Sequence, residues 1–121
     1  MIRLLVITLL CFIFLEAKQK SYQDEIDHLL LYVQNTKCIY IRNGDSHSGK
    51  DAKKHIQRKY NYFYDDIESS EDFIRLSATK STMSGNKYYI ACPNKAKVES
   101  SKWLLEELYR YRQIHKLKQG K

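Results

Sequence analysis

Two cysteines constrain this chain more than any other feature, because each lies at the end of a short strand-like run and the two runs are far apart in sequence. Cys38 to Arg42 alternates, with Ile39 and Ile41 on one face and Cys38, Tyr40 and Arg42 on the other. Lys87 to Cys92 reads as a second strand, stopped by Pro93, which cannot donate a ladder hydrogen bond. If the runs pair antiparallel with Cys38 opposite Cys92, Tyr40 faces Ile90 and Arg42 faces Tyr88. Residues directly opposite one another sit about 4.5–5.5 Å apart between Cα atoms, within disulfide range. The pattern therefore predicts a Cys38–Cys92 disulfide across a two-stranded ribbon.

That pairing presupposes an oxidising compartment, and the N-terminus supplies the reason to expect one. Met1-Ile2-Arg3 leads into a run from Leu4 to Leu15 that is apolar but for Thr8, followed by Glu16-Ala17 and a Lys-rich continuation. This is the layout of a secretory signal peptide, with cleavage expected after Ala17. At about 1.5 Å per residue the run falls well short of a ~30 Å hydrocarbon core, so an uncleaved anchor is the lesser alternative, kept open by Leu15 at a position that favours small residues. The chain has three cysteines, and Cys11 leaves with the leader. The remaining even pair in an exported protein points to a disulfide, not to thiol or metal chemistry.

Residues 18–121 make one domain with a modest core. The net charge of +7 survives cleavage, since Arg3 and Glu16 cancel. It suits an acidic partner or polymer, or solubility alone. The basic residues form no dense stripe, so nucleic-acid binding is not expected. The segments around the two strands read as helices. Asp24 and Glu25 favour a helix start after Ser21, with Ile26, Leu29, Leu30 and Val33 as its apolar stripe. Asn43-Gly44 forces a turn, and Ser48 with Asp51 caps a helix whose stripe is Ala52, His55 or Ile56, Lys59 or Tyr60, and Phe63. Ser69 with Asp72 caps a short helix through Ala78, and Ser84-Gly85-Asn86 is a turn. Asn94 to Glu99 reads as a loop, and Ser100 or Ser101 caps a last helix bearing Trp103, Leu104 and Leu108, frayed and basic from Lys116. The predicted fold class is α+β: a small single domain of about four helices around a two-stranded antiparallel ribbon, in the order α-β-α-α-β-α.

Little in the sequence carries recognisable chemistry. Asp24 with His28 and Asp51 with His55 stand at i,i+4 and can pair on helix surfaces. His47, His55 and a carboxylate could hold a metal, but in no recognised ligand spacing, and no metal or cofactor is expected. Ten tyrosines are more than a small core needs; Tyr60, Tyr62 and Tyr64 share one helix and cannot all be buried. Arg42-Asn43-Gly44 places a guanidinium beside free turn N–H groups, which suits an anion, unless Arg42 pairs with Asp45 or Asp72.

Taken together, Tyr40-Ile41-Arg42-Asn43-Gly44, Ala52, His55, Lys59, Glu71-Asp72-Phe73-Ile74, Ser81, Ser84-Gly85 and Tyr88 resemble the pattern of the YfeK-like family, small exported bacterial proteins of unknown function. The resemblance spans about Cys38 to Cys92. It implies a periplasmic or secreted location and one compact domain, and it implies no activity. Its polar members are more than a core requires, and strand pairing would gather Arg42, Asn43, His55 and Ser84 at one end of the ribbon as a binding corner. The sequence thus reads as a non-catalytic binding or accessory module of the cell envelope, whose partner is an envelope protein or acidic polymer. The competing readings are an inhibitor or immunity protein that blocks a partner enzyme, and a small metal-dependent hydrolase using His55.

Overall fold

The computed structural model describes residues 22–119; the expected leader (1–17) and the Ser21 cap lie outside them. Among the described residues, four helices and a four-stranded antiparallel sheet follow one another as α1 (Gln23–Asn35), β1 (Ile39–Arg42), β2 (Asp45–His47), α2 (Gly49–Phe63), a 3-10 turn (Tyr64–Asp66), α3 (Ser70–Ser77), β3 (Tyr89–Ala91), β4 (Val98–Glu99) and α4 (Ser100–Gln119). The strands lie in the order β2-β1-β3-β4.

The central pair has the register that the cysteines dictate. Ile39 pairs with Ala91, Tyr40 with Ile90 and Ile41 with Tyr89. One step outward on one side, Cys38 and Cys92 stand with Sγ atoms 2.08 Å apart and Cα atoms 4.3 Å apart. The face carrying Tyr40, Tyr88 and Ile90 is buried against Ile26, Leu29, Ile56, Phe73, Leu104 and Leu108 of the four helices. Ile39, on the other face, is half exposed at 49%. The Tyr40 hydroxyl, buried beneath the sheet, is bonded to Ser100 Oγ at 2.7 Å. Ser100, expected as a helix cap, instead anchors the start of α4 to β1.

The expected two-stranded ribbon is corrected to four strands, and the order gains β2 and β4. Asn43 and Gly44 have φ of 51° and 81°, the double positive φ of the two-residue turn that matches hairpin twist. The turn therefore sends the chain straight back as β2, pairing Arg42 with Asp45 and Tyr40 with His47. Asp45-Ser46-His47 has no apolar alternation, so nothing but the turn announces it. At the other edge, Asn94 takes φ 60° after Pro93 and Val98 returns opposite Ile90, a strand too short to show a period.

The helix starts agree with their caps. Ser48 Oγ accepts from Asp51 N at 3.1 Å and Ser69 Oγ from Asp72 N at 3.0 Å. α2 begins hard against the end of α1: a Cβ on Gly49 would lie 2.3 Å from the Val33 carbonyl oxygen. Only glycine permits that approach. Gly49→Ala should cost about 1–3 kcal/mol by forcing the two helices apart, read as a lowered urea midpoint; an unchanged midpoint would refute the close packing. Reducing the Cys38–Cys92 link, which closes a separation of 54 residues, should remove about 4 kcal/mol and lower Tm by roughly 15 °C or more. Identical melting with and without reductant would show that the link does not hold the sheet.

Candidate functional site

The register that pairs Tyr40 with Ile90, carried one residue further, sets Arg42 opposite Tyr88 on the inward face at the end away from the cystine. α2 passes over this end. It presents Asp51, His55, Arg58 and Lys59 to the ribbon along one side, at helical spacings of three and four. Arg42 Nη1 is hydrogen-bonded to His55 Nδ1. On the far side of the imidazole, His55 Nε2 is 3.0 Å from Tyr88 Oη. Lys59 Nζ donates to the Lys80 carbonyl at 2.7 Å and more weakly to Tyr88 Oη at 3.5 Å. It also stands 5.2 Å from the Tyr88 ring centroid, a cation–π arrangement.

The turn and the Ser81–Asn86 loop close the corner. Ser84 Oγ donates to Asn43 Oδ1 at 2.8 Å, and Asn86 Nδ2 reaches the same oxygen at 3.3 Å. The loop is held in shape by Ser81 N to the Asn86 carbonyl and Gly85 N to the Ser81 carbonyl, each 2.9 Å. The four residues named from the sequence, Arg42, Asn43, His55 and Ser84, thus line one cleft of about 400 Å3 together with Lys59, Thr82 and Tyr88. A second cleft of about 240 Å3 opens on the other side of Arg42 and His55, lined by Tyr40, His47, Asp51, Lys54 and Arg58. Sequence reasoning missed Lys59 and Tyr88 as members. Lys59 lies one helical turn beyond His55, and Tyr88 opposite Arg42, so both were derivable once the helix and the register were combined.

Charge is distributed unevenly. Arg112 forks onto Glu25 (2.7 and 3.0 Å) and Glu71 (2.8 and 3.1 Å), tying α4 to α1 and α3. These bonds hold both carboxyls below their usual range. The buried Glu107 is held by Arg110 at 2.5 Å and by His28 at 3.1 Å. The expected Asp24–His28 pair is therefore corrected: His28 turns to α4, where its ring stacks on Tyr111 at 4.2 Å. The Asp51–His55 pair is corrected likewise, both nitrogens of His55 being taken by Arg42 and Tyr88. The proposed acids for Arg42 do not reach it. Among the described residues no ion pair includes Arg42, Arg58 or Lys59.

These unpaired cations set the protonation of their neighbours. Burial, and then Arg42, Lys59, Arg58 and His47, push the His55 pKa down to about 4. Burial and Arg42 also lower that of Lys59. His55 is therefore a neutral imidazole at neutral pH, accepting from Arg42 through Nδ1. No group of three or more His, Cys, Asp or Glu side chains that could hold a metal occurs among the described residues. With both ring nitrogens engaged, His55 has none to offer a metal.

The depressed pKa has a consequence for stability. Unfolded, His55 titrates near 6.5, so between pH 6.5 and 4 the unfolded chain binds the proton that the folded chain refuses. The contribution is complete above pH 6.5 and is lost as pH falls through about 4. Urea midpoints of the wild type should fall across that window, and those of His55→Gln should fall less. Parallel pH profiles would show that His55 is not held neutral by its surroundings.

Comparison with curated proteins and with solved structures yields no match. A family model does match. It covers residues 20–112, which take in the cystine, the whole corner and the Arg112 clamp, and on that extent the chain belongs to DUF5329, a family of unknown function.

Proposed function

We propose that this protein is a non-catalytic binding module of the bacterial cell envelope, exported through its N-terminal leader, and that it receives an acidic partner at the corner built by Arg42, Asn43, His55 and Ser84. The finer likeness to YfeK-like proteins belongs to the same proposal. One observation carries it: Arg42 and Lys59 converge on Tyr88 and His55 and, among the described residues, are satisfied by neutral acceptors alone, His55 Nδ1, Tyr88 Oη and the Lys80 carbonyl. Like charges held together in a partly buried place raise the energy of the empty site and lower it again when an anion arrives. The paired cysteines and the signal-like leader support an exported setting. Among the described residues no helix is long and apolar enough to cross a membrane.

The partner should be recoverable by gentle isolation of the protein from the periplasm, with mass spectrometry of what accompanies it. Arg42→Ala, with its fold verified by circular dichroism, should reduce that recovery by about tenfold or more, as expected when a charge-assisted contact is removed. Undiminished recovery with Arg42→Ala would remove the corner from consideration.

A further inference from the structure

The hydrogens at the corner can be assigned one by one, because a guanidinium and an ammonium only donate. Arg42 donates to His55 Nδ1, so the neutral ring carries its proton on Nε2 and donates it to Tyr88 Oη. Lys59 donates to the same oxygen. Tyr88 Oη then accepts twice, and its own O–H hydrogen has no acceptor among the described residues. Yet Tyr88 is only 1% exposed, and a buried donor left without an acceptor is destabilising. Arg42, His55 and Tyr88 form a relay of donors that ends with no acceptor, and its last members line the cleft shared with Ser84 and Thr82.

Charge and direction narrow what would complete the relay. Arg42, Lys54, Arg58 and Lys59 line the clefts of about 240 and 400 Å3 and a third of about 460 Å3 that runs toward Tyr62 and Phe63, all three meeting at His55, against one carboxylate, Asp51. A carboxylate has one charge and two oxygens in a plane, suited to a single fork. The donors here come from separate elements, β1 (Arg42), α2 (Lys59) and the residue preceding β3 (Tyr88). They suit an anion of higher charge with oxygens pointing several ways. Building on the anion-receiving corner proposed above, we infer that this cleft binds a phosphoryl group, whose oxygens accept from the Arg42 guanidinium, the Lys59 ammonium and the Tyr88 hydroxyl. The cleft volume of about 400 Å3 leaves room for the moiety that carries the phosphate. The neutral state of His55 is part of the fit, since it keeps Nδ1 an acceptor and holds the guanidinium in place.

Calorimetric titration of the purified, disulfide-bonded protein with phenyl phosphate and with benzoate tests this directly. The assignment expects phenyl phosphate to bind at least about tenfold more tightly than benzoate. It also expects Arg42→Ala, Lys59→Gln and Tyr88→Phe each to weaken phenyl phosphate by about tenfold. Lys59→Gln removes a charge at the rim, so it keeps the test decisive should the other two variants misfold. Sedimentation with vesicles of phosphatidylglycerol, against phosphatidylcholine alone, separates sources. Arg42-dependent pelleting identifies a lipid phosphate, and phenyl phosphate binding without pelleting identifies a soluble phosphate ester. Equal, Arg42-dependent binding of benzoate and phenyl phosphate would overturn the phosphoryl assignment and leave the anion corner standing. Absence of Arg42-dependent binding to either anion would overturn both.

Discussion

The pairing of β1 with β3 is the constraint from which the other features follow. Side chains alternate along a strand, so a slip of β1 by one residue against β3 would turn Tyr40 out to water and bring Ile39 and Ile41 in. Both sets are apolar enough that burial alone discriminates weakly between them. The cystine resolves the ambiguity, because Cys38 opposite Cys92 admits only the observed register. Once it is set, Tyr40 lies beneath the sheet with a hydroxyl that needs a partner, and Ser100 supplies it at the point where α4 begins. Arg42 likewise has no choice. It must emerge on the covered face, under α2, where His55 meets it.

The molecule then divides electrostatically. On the helical side, carboxylates and guanidinium groups cancel: Arg112 bridges Glu25 and Glu71, and Arg110 with His28 holds the buried Glu107. At the ribbon's open end, cations are held by imidazole, phenol and carbonyl groups. Partly buried like charges are costly, and a fold that placed stability first would have paired an acid directly with them. Asp45 pairs with Arg42 in the strand register yet makes no ion pair with it. The corner's excess charge is the observation on which the proposed binding role rests.

Several features were legible in the sequence because they rest on short-range rules. The Ser48 and Ser69 caps, the Ile26-Leu29-Leu30-Val33 stripe and the opposition of Tyr40 to Ile90 needed only local spacing plus one assumed cross-link. Tyr60, buried at 4%, and Tyr62, exposed at 81%, divide as helical geometry dictates, whereas Tyr64 does not share their helix as expected: it lies past the end of α2 in the 3-10 turn and is 57% exposed despite its i,i+4 spacing from Tyr60. The rest depended on partners distant in sequence. β2 and β4 are edge strands of three and two residues with no apolar period, visible only through the turns that feed them. His28 looks like a partner for Asp24 until α4 brings Glu107 to it across 79 positions. Tyr88 joined the corner only through the sheet, and Lys59 only through the helix.

A relay of donors organised by a neutral imidazole defines the corner. Long-range 1H–15N correlation NMR of the His55 ring, followed through a pH titration, tests it most directly. Nε2 should be protonated and Nδ1 unprotonated throughout neutral pH, with titration only near pH 4. An Nδ1-protonated ring, or one that titrates near 6.5, would contradict it.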